Sequence, residues 1–170
     1  MDDGQTQMDA LRARIAGLDS PAEVTSGHCD LAPGLWLSTD PEGQGHLAVQ
    51  PGEDRLSLSL SEGDSGAWAC LGMLLPLDEL KRARFLGLLA ALDRGDLVSM
   101  QPTLRYFHGD RAQDVPAAPL LLSPGRGESL AHIPLDAGLL DSASGCELNL
   151  FFHTNRFEAE FTRLEPVLIL

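Results

Sequence analysis

Two stretches of the chain, 56–61 and 157–162, alternate strictly between apolar and polar residues. Leu, Phe or Ala occupies every second position, and Ser, Glu or Thr fills the positions between them. Successive side chains of a strand point to opposite faces, so this period predicts strands with one buried and one solvated face. The short polar segment 154–156 separates the strand predicted at 147–153 from the strand at 157–162, and its composition predicts a hairpin turn.

Further short apolar segments, bounded by Gly, Pro and Asp, predict additional strands. These strands are expected at 35–38, 46–49, 67–75, 97–107 with an interruption at Pro102, 120–122, 130–133 and 167–170. Turn composition marks 40–43, 62–66 and 93–96, whereas 19–34, 109–119 and 134–146 are predicted to be loops. Many short strands separated by turn signals are typical of a sandwich or jelly roll.

A helical pattern occurs near the start of the chain, over residues 5–18. Met8, Leu11, Ile15 and Leu18 recur at the spacing of one helix face, which predicts a short amphipathic helix. We expect this helix to pack on its own domain. The alternative is an arm that docks on a second subunit and forms a homodimer.

Residues 77–94 are ambiguous, because a nearly continuous apolar run fits either a helix or a buried strand. Leu and Ala favour a helix, whereas the strand rhythm elsewhere favours a strand. We predict one helical turn at 78–82, opening at Asp78, followed by a strand at 84–92.

These patterns together predict a mainly β protein with one domain. An antiparallel, jelly-roll-like β-sandwich is expected over residues 30–170, preceded by a helical arm at 1–20. A length of 170 residues is typical of one domain, and an apolar content of 44% is enough to build a core.

The charge balance excludes some partners. The chain has 25 acidic and 12 basic residues and a net charge of −13, which repels nucleic-acid phosphates and anionic membrane surfaces. No apolar run approaches the ~20 residues that a membrane-spanning helix needs. The first residues lack the basic and apolar regions of a signal peptide, so we expect a cytoplasmic protein.

Cysteine and histidine usage gives little support for a metal centre. His28, Cys29 and Asp30 form the densest run of ligand-type residues, but adjacent side chains rarely converge on one ion. Cys70, Cys146 and the other histidines are scattered, so neither a disulfide framework nor a metal site is expected. A catalytic Cys–His pair using Cys29 or Cys146 is a remote alternative.

Acidic turns recur along the chain and could supply oxygen ligands to a calcium ion. The pairs are Asp40/Glu42, Glu62/Asp64, Asp93/Asp96 and Asp110/Asp114. Asp is also favoured in turns because it hydrogen-bonds the local backbone, and we prefer this explanation. No common nucleotide, cofactor or hydrolase motif occurs, so we expect no cofactor.

The strand at 103–108 offers the most interesting polar side chains. Leu104, Tyr106 and His108 share one face, and Thr103, Arg105 and Phe107 share the other, so the pattern leaves open which face is the core. Arg is suited to bidentate binding of a carboxylate or of vicinal hydroxyls.

The candidate ligand-binding residues are therefore Arg105, Tyr106 and His108, together with Trp68. Trp36 and Trp68 could stack on sugar rings, although core anchoring is the more ordinary role of such residues. His153 is flanked by apolar residues and is expected to be structural.

The strand rhythm, the Leu150-Phe151-Phe152 stretch and the return strand from Phe157 to Leu170 resemble bacterial jelly-roll modules of the carbohydrate-binding type. The resemblance spans about residues 30–170. It implies a ligand on a concave sheet face or in loops at one edge, and no motif carries a particular ligand residue across. Members of such families are often exported, whereas no signal peptide is expected from the first residues of this chain.

Three functions follow from these observations. The first is a non-catalytic binding module for a sugar-like or other polar small ligand. The second is an acidic cytosolic interaction protein, a chaperone or an oligomeric scaffold, which a long helix over 77–94 would favour. The third is an enzyme that uses His108 or His153 with a carboxylate.

Overall fold

The computed structural model describes residues 6–61 and 66–170. Three short helices occur in these residues: α1 (Gln7–Ala16), α2 (Leu77–Leu80) and α3 (Ala137–Ser142). The strands are β1 (Ala22–Val24), β2 (Gly27–Ala32), β3 (Leu35–Thr39), β4 (His46–Gly52), β5 (Arg55–Ser61), β6 (Ala69–Leu75), β7 (Phe85–Gly95), β8 (Val98–His108), β9 (Arg111–Pro116), β10 (Leu120–Leu122), β11 (Ser129–Pro134), β12 (Gly145–Phe152) and β13 (Phe157–Ile169). None of the described helices is long and apolar enough to cross a membrane.

The strands form two antiparallel sheets that face each other across one core. The six-stranded sheet has the order β1-β4-β5-β13-β7-β11. The seven-stranded sheet has the order β10-β8-β12-β6-β3-β2, with β9 also paired to β8. Inward-facing Leu, Met and Phe side chains of both sheets pack between them, which confirms the predicted antiparallel β-sandwich.

The predicted hairpin at 154–156 is wrong. β12 lies in the seven-stranded sheet and β13 in the six-stranded sheet, so this segment crosses from one sheet to the other. Phe152 and Phe157 flank the crossing, and their ring centroids lie 5.0 Å apart. The alternating pattern specified the face that each strand buries, but it carried no information about the neighbouring strand.

Several predicted loops contain regular structure. Residues 19–34 include β1 and β2, residues 109–119 include β9, and residues 134–146 include α3. The sandwich therefore begins at Ala22 and not at residue 30. β9 is exposed over most of its length, so it lacks the apolar alternation by which a strand is recognised.

Two strands are longer than predicted. β8 passes through Pro102 without a break, and β13 joins the two segments predicted at 157–162 and 167–170. Register shifts lie between Glu160 and Phe161 and between Phe161 and Arg163 of β13. A bulge restores the inward direction of the apolar side chains after an extra residue, and this explains the broken alternation in the sequence.

The ambiguous segment 77–94 has the predicted form, the short helix α2 followed by the strand β7. The absence of a long helix here removes the observation that would have favoured the chaperone hypothesis. The predicted strands at 35–38, 46–49, 67–75, 120–122 and 130–133 are also present. The predicted turn at 62–66 lies mostly outside the described residues.

Helix α1 packs on the sandwich through Met8, Leu11 and Ile15, all of which are buried. Its start is capped twice. The Thr6 and Asp9 side chains form a capping box, and the Glu79 carboxylate accepts hydrogen bonds from the backbone N–H groups of Gln7 and Met8 at 2.6 and 3.1 Å. The predicted homodimer through this helix is not supported, because the apolar face is buried in its own domain.

Candidate functional site

The outer face of the seven-stranded sheet carries a cleft of about 610 Å³. Strands β6, β8 and β12 form its centre, with β3 and β2 on one side and β9 on the other. The lining residues are His28, Trp36, Ser38, Trp68, Cys70, Arg105, Phe107, Asp114, Glu147, Asn149 and Phe151. Aromatic and polar side chains therefore alternate across one surface of the sheet.

The Trp36 indole occupies the space over Gly72 because this neighbour has no side chain. Trp36 on β3 is paired with Gly72 on β6. A Cβ added at Gly72 would stand only 2.2 Å from the indole Nε1. The His28 ring lies beside the indole, with centroids 6.0 Å apart and planes tilted by 30°. The cleft thus has an aromatic platform in direct contact with its floor.

Trp68 stands at the start of β6 and is 36% exposed. Its indole N–H donates to Ser38 Oγ at 3.4 Å. Asp40 fixes the segment that carries it, because the Asp40 carboxylate accepts from the Ala67 N–H at 2.7 Å and the Asp40 N–H donates to the Trp68 carbonyl at 3.0 Å. The hydrogen bond from Ala67 and a second from Glu42 lower the pKa of Asp40.

Arg105 and Asp114 form the polar wall on the β9 side. The two residues are paired across β8 and β9. The guanidinium donates from Nε to Oδ1 at 2.7 Å and from Nη2 to Oδ2 at 2.8 Å, a bidentate ion pair. This hydrogen bonding raises the pKa of Arg105 further, so the residue is charged in its pair.

Glu147 and Asn149 occupy the centre of the cleft on β12. Burial raises the pKa of Glu147, while the Asn149 amide and the Arg105 charge partly oppose this rise. Asn149 is only 4% exposed, and its amide is directed at the Glu147 carboxylate, whose pKa it lowers. Glu147 is therefore the residue of this pair that offers a hydrogen-bond acceptor to a ligand.

Cys70 belongs to the floor but has no thiolate chemistry to offer. Burial raises the pKa of Cys70 to about 12, and burial likewise raises the pKa of Cys146 to about 12 on the core side of β12. A thiol must ionise to act as a nucleophile. The Cys–His alternative therefore has no support at Cys146.

The structure brings together only two of the four ligand-binding residues predicted from the sequence. Arg105 and Trp68 line the cleft. Tyr106 is fully buried, and its hydroxyl accepts a hydrogen bond from the Asp136 N–H at 3.4 Å. His108 lies near α3, with Nδ1 3.4 Å from Ser142 Oγ. The assignment of Tyr106 and His108 to the site is corrected accordingly, because their face of β8 is the core face.

Of the remaining histidine candidates, His28 lines the cleft. His153 is exposed and lies outside the cleft. His28 bonds Asp30 at 2.8 Å, while Cys29 packs partly against the core. Within residues 6–61 and 66–170, no group of three or more His, Cys, Asp or Glu residues could hold a metal ion.

Sequence reasoning missed Glu147, Asn149, Phe107 and Phe151 as lining residues. Glu147, Asn149 and Phe151 alternate along β12 with buried Cys146, Leu148 and Leu150. Their apolar neighbours made the strand look like core on both faces. The alternation of Glu, Asn and Phe on one face was the available signal.

A second cleft of about 530 Å³ lies between α1 and the bulge of β13. Its arginines are already paired with carboxylates, and its aromatic residue, Phe161, is buried. The ion pairs are Arg12–Asp9, Arg55–Glu160, Arg163–Glu128 and Arg163–Glu165. This cleft offers no exposed aromatic face and its arginines are held in ion pairs, so the outer-face cleft is the better candidate.

No protein-family model matches the chain, and no curated protein matches its sequence. Among solved structures, the family 11 carbohydrate-binding module from Clostridium thermocellum, in complex with a β-1,3-1,4-mixed-linked tetrasaccharide, aligns with a TM-score of 0.52 and 9% identity, covering 89% of this chain and 99% of that chain. The CBM22-1 xylan-binding domain from Paenibacillus barcinonensis Xyn10C aligns with a TM-score of 0.50 and 13% identity, covering 88% and 93%. The predicted resemblance is confirmed for the fold: the chain has the jelly-roll sandwich of these modules.

Proposed function

We propose that the chain is a non-catalytic binding module that takes a saccharide in the cleft on the outer face of the seven-stranded sheet. The observation that carries this proposal is the Trp36 indole lying over Gly72, beside the hydrogen-bonding groups of Asn149 and Glu147. Sugar rings have apolar faces that stack on aromatic rings and hydroxyl edges that need polar partners. The cleft presents both kinds of group side by side.

The structural neighbours support a saccharide as the ligand class. One of them is named as a xylan-binding domain, and the other is in complex with a mixed-linked tetrasaccharide. Soluble xylan and mixed-linked β-glucan are therefore the first ligands to test.

The ion pair between Asp114 and Arg105 favours saccharide binding over saccharide hydrolysis as the function of the cleft. Glycoside hydrolysis normally needs two carboxylates, one acting as an acid and the other as a base or nucleophile. Arg105 on β8 stands between Glu147 on β12 and Asp114 on β9, and it holds Asp114 through two hydrogen bonds. Asp114 is therefore not free to act opposite Glu147.

The test is isothermal titration calorimetry of the wild type and the Trp36→Ala variant with these polysaccharides. We expect wild-type binding, and a loss of affinity of about tenfold or more in the variant, because truncating a central aromatic residue removes a large part of the binding energy. Phe85→Ala is the matched control, since Phe85 is 39% exposed and lies on the six-stranded sheet.

Equal affinity in the wild type and Trp36→Ala would contradict the assignment of the cleft. Equal losses in Trp36→Ala and Phe85→Ala would indicate a general effect on folding and not a binding site. Melting curves of both variants separate these outcomes.

A further inference from the structure

The charged groups of the outer-face cleft do not cancel one another. The Arg105 guanidinium is taken up by the bidentate pair with Asp114. Glu147 forms no ion pair with any described residue, although the nearby charges of Arg105 and His28 act to lower its pKa. One half-buried carboxylate therefore stands without an ion-pair partner at the centre of the cleft.

A half-buried carboxylate without an ion-pair partner carries a free-energy cost. Burial opposes its ionised form and raises the pKa of Glu147, so the charge costs free energy in the unliganded protein. A hydrogen bond from a neutral hydroxyl group offsets part of this free-energy cost. A hydrogen bond from a cationic donor offsets more of it, because a hydrogen bond between two charged groups is roughly twice as strong as one between neutral groups.

Asn149 is the neighbour of this carboxylate on the same strand. Glu147 and Asn149 are two residues apart on β12 and share its outer face. A side-chain hydrogen bond from Asn149 lowers the pKa of Glu147 against the effect of burial, so the Asn149 amide is directed at the carboxylate. Because Asn149 is only 4% exposed, Glu147 is the member of this pair that a ligand contacts.

The net charge of the whole chain also favours a cationic ligand. A net charge of −13 raises the local concentration of cationic ligands and disfavours anionic ones. A polysaccharide rich in uronic acids is therefore a poor match for this cleft, whereas a polysaccharide that carries amines is a good one.

We infer that the saccharide bound in this cleft is an amino sugar, whose protonated amine is held by Glu147. This inference rests on the proposed saccharide-binding function and narrows it to a ligand class. The aromatic platform of Trp36 stacks on the ring, and Glu147 selects the substituent.

The experiment compares three β-1,4-linked oligosaccharides of equal length that differ only at C2, where they carry an amine, a hydroxyl or an N-acetyl group. Their affinities are measured by calorimetry at a pH below the pKa of the sugar amine, at low and high salt. We expect the amine form to bind about tenfold more tightly than the other two at low salt, with a smaller difference at high salt.

Two variants separate recognition at the cleft from general attraction between opposite charges. Glu147→Gln keeps the shape of the side chain and should abolish the preference for the amine, so that the amine and hydroxyl forms bind the variant with similar affinity. Glu158→Gln removes the same charge from an exposed position on the six-stranded sheet and should keep the preference. Equal losses of preference in the two variants would overturn the inference.

The remaining outcomes distinguish this inference from the proposed function. If the hydroxyl or N-acetyl form binds as tightly as the amine form, the amino-sugar inference is wrong and saccharide binding stands. If none of the three oligosaccharides, nor xylan or mixed-linked β-glucan, binds to the wild type, both are wrong.

Discussion

At the scale of single residues, the absence of a side chain at Gly72 leaves the space that the Trp36 indole occupies. We expect Gly72→Ala to push the Trp36 indole off the sheet, because the new Cβ would lie 2.2 Å from Nε1 and 2.3 Å from Cε2. Overpacking of this kind typically costs about 1–3 kcal/mol of stability. Saccharide affinity should fall with it, and tryptophan fluorescence should report the movement of the indole.

Gly145→Ala is the matched control, since Gly145 lies on the same sheet and a Cβ there meets Phe107 Cδ2 at an ordinary 3.6 Å. The control should keep the wild-type fluorescence and affinity. Unchanged fluorescence in Gly72→Ala would contradict the placement of the indole.

Glu147 gives a second prediction at this scale, a pH-dependent gain in stability on substitution. Burial raises its folded-state pKa above the ordinary 4.5, so its contribution to stability is present below pH 4.5 and is lost as pH rises through the folded pKa. The Glu147→Gln substitution removes this loss of stability at higher pH. The variant should melt at a higher temperature than the wild type at neutral pH and show no such gain below pH 4.5.

Calorimetric melting curves across this range give the comparison. Glu158→Gln again serves as a control for the removal of one negative charge from the surface. A gain for Glu147→Gln that is the same at every pH would contradict the burial argument.

The sequence made some of these residues predictable and hid others. Arg105 and Trp68 were predicted as ligand contacts, and both line the cleft. Tyr106 and His108 were predicted with them because the mixed pattern of β8 does not show which face is buried. Contact with the other sheet, through Leu104 and Tyr106 in the core, determines which face of β8 is buried. The sequence of one strand does not contain this information.

At the scale of elements, helix α1 can be tested as a part of the sandwich. Leu11 is fully buried, so we expect Leu11→Ala to lower the free energy of unfolding by about 2–5 kcal/mol. Arg14→Ala, on the exposed face of the same helix, should have little effect. Chemical denaturation measures both values.

An arm that docks on a second subunit would behave differently. Leu11→Ala would then change the molecular mass in solution and leave the stability of the monomer nearly intact. Light scattering coupled to size-exclusion chromatography, run alongside the denaturation experiment, separates these outcomes.

The secondary structure of each segment was more predictable than the identity of the strands beside it in the sheet. The alternating segments 56–61 and 157–162 and the mixed segment 77–94 indicated their own secondary structure, because period and propensity are local properties. The order of strands depends on how the two sheets meet. For this reason 154–156 resembled a hairpin turn although it carries the chain between the sheets.

At the scale of the whole molecule, the two sheets have different outer surfaces. The seven-stranded sheet presents Trp36, Trp68 and Phe151 around polar groups. On the six-stranded sheet, a shallow depression between β1 and β13 is lined mainly by small and polar residues, among them Ser57, Ser59 and Gln50. The fold class follows from the sequence, whereas this asymmetry depends on the register of the strands.

The position of β13 in the middle of the six-stranded sheet has a consequence for biosynthesis. β13 separates β5 from β7, so these two strands have no shared edge until Phe157–Ile169 has been made. A nascent chain emerging from the ribosome can pair β4 with β5 early, but its six-stranded sheet stays incomplete until β13 has emerged. Pairings between distant segments also slow folding in general. Stalled chains that lack this strand should therefore remain sensitive to protease and depend on chaperones, and the emergence of β13 should be the moment at which the sandwich closes.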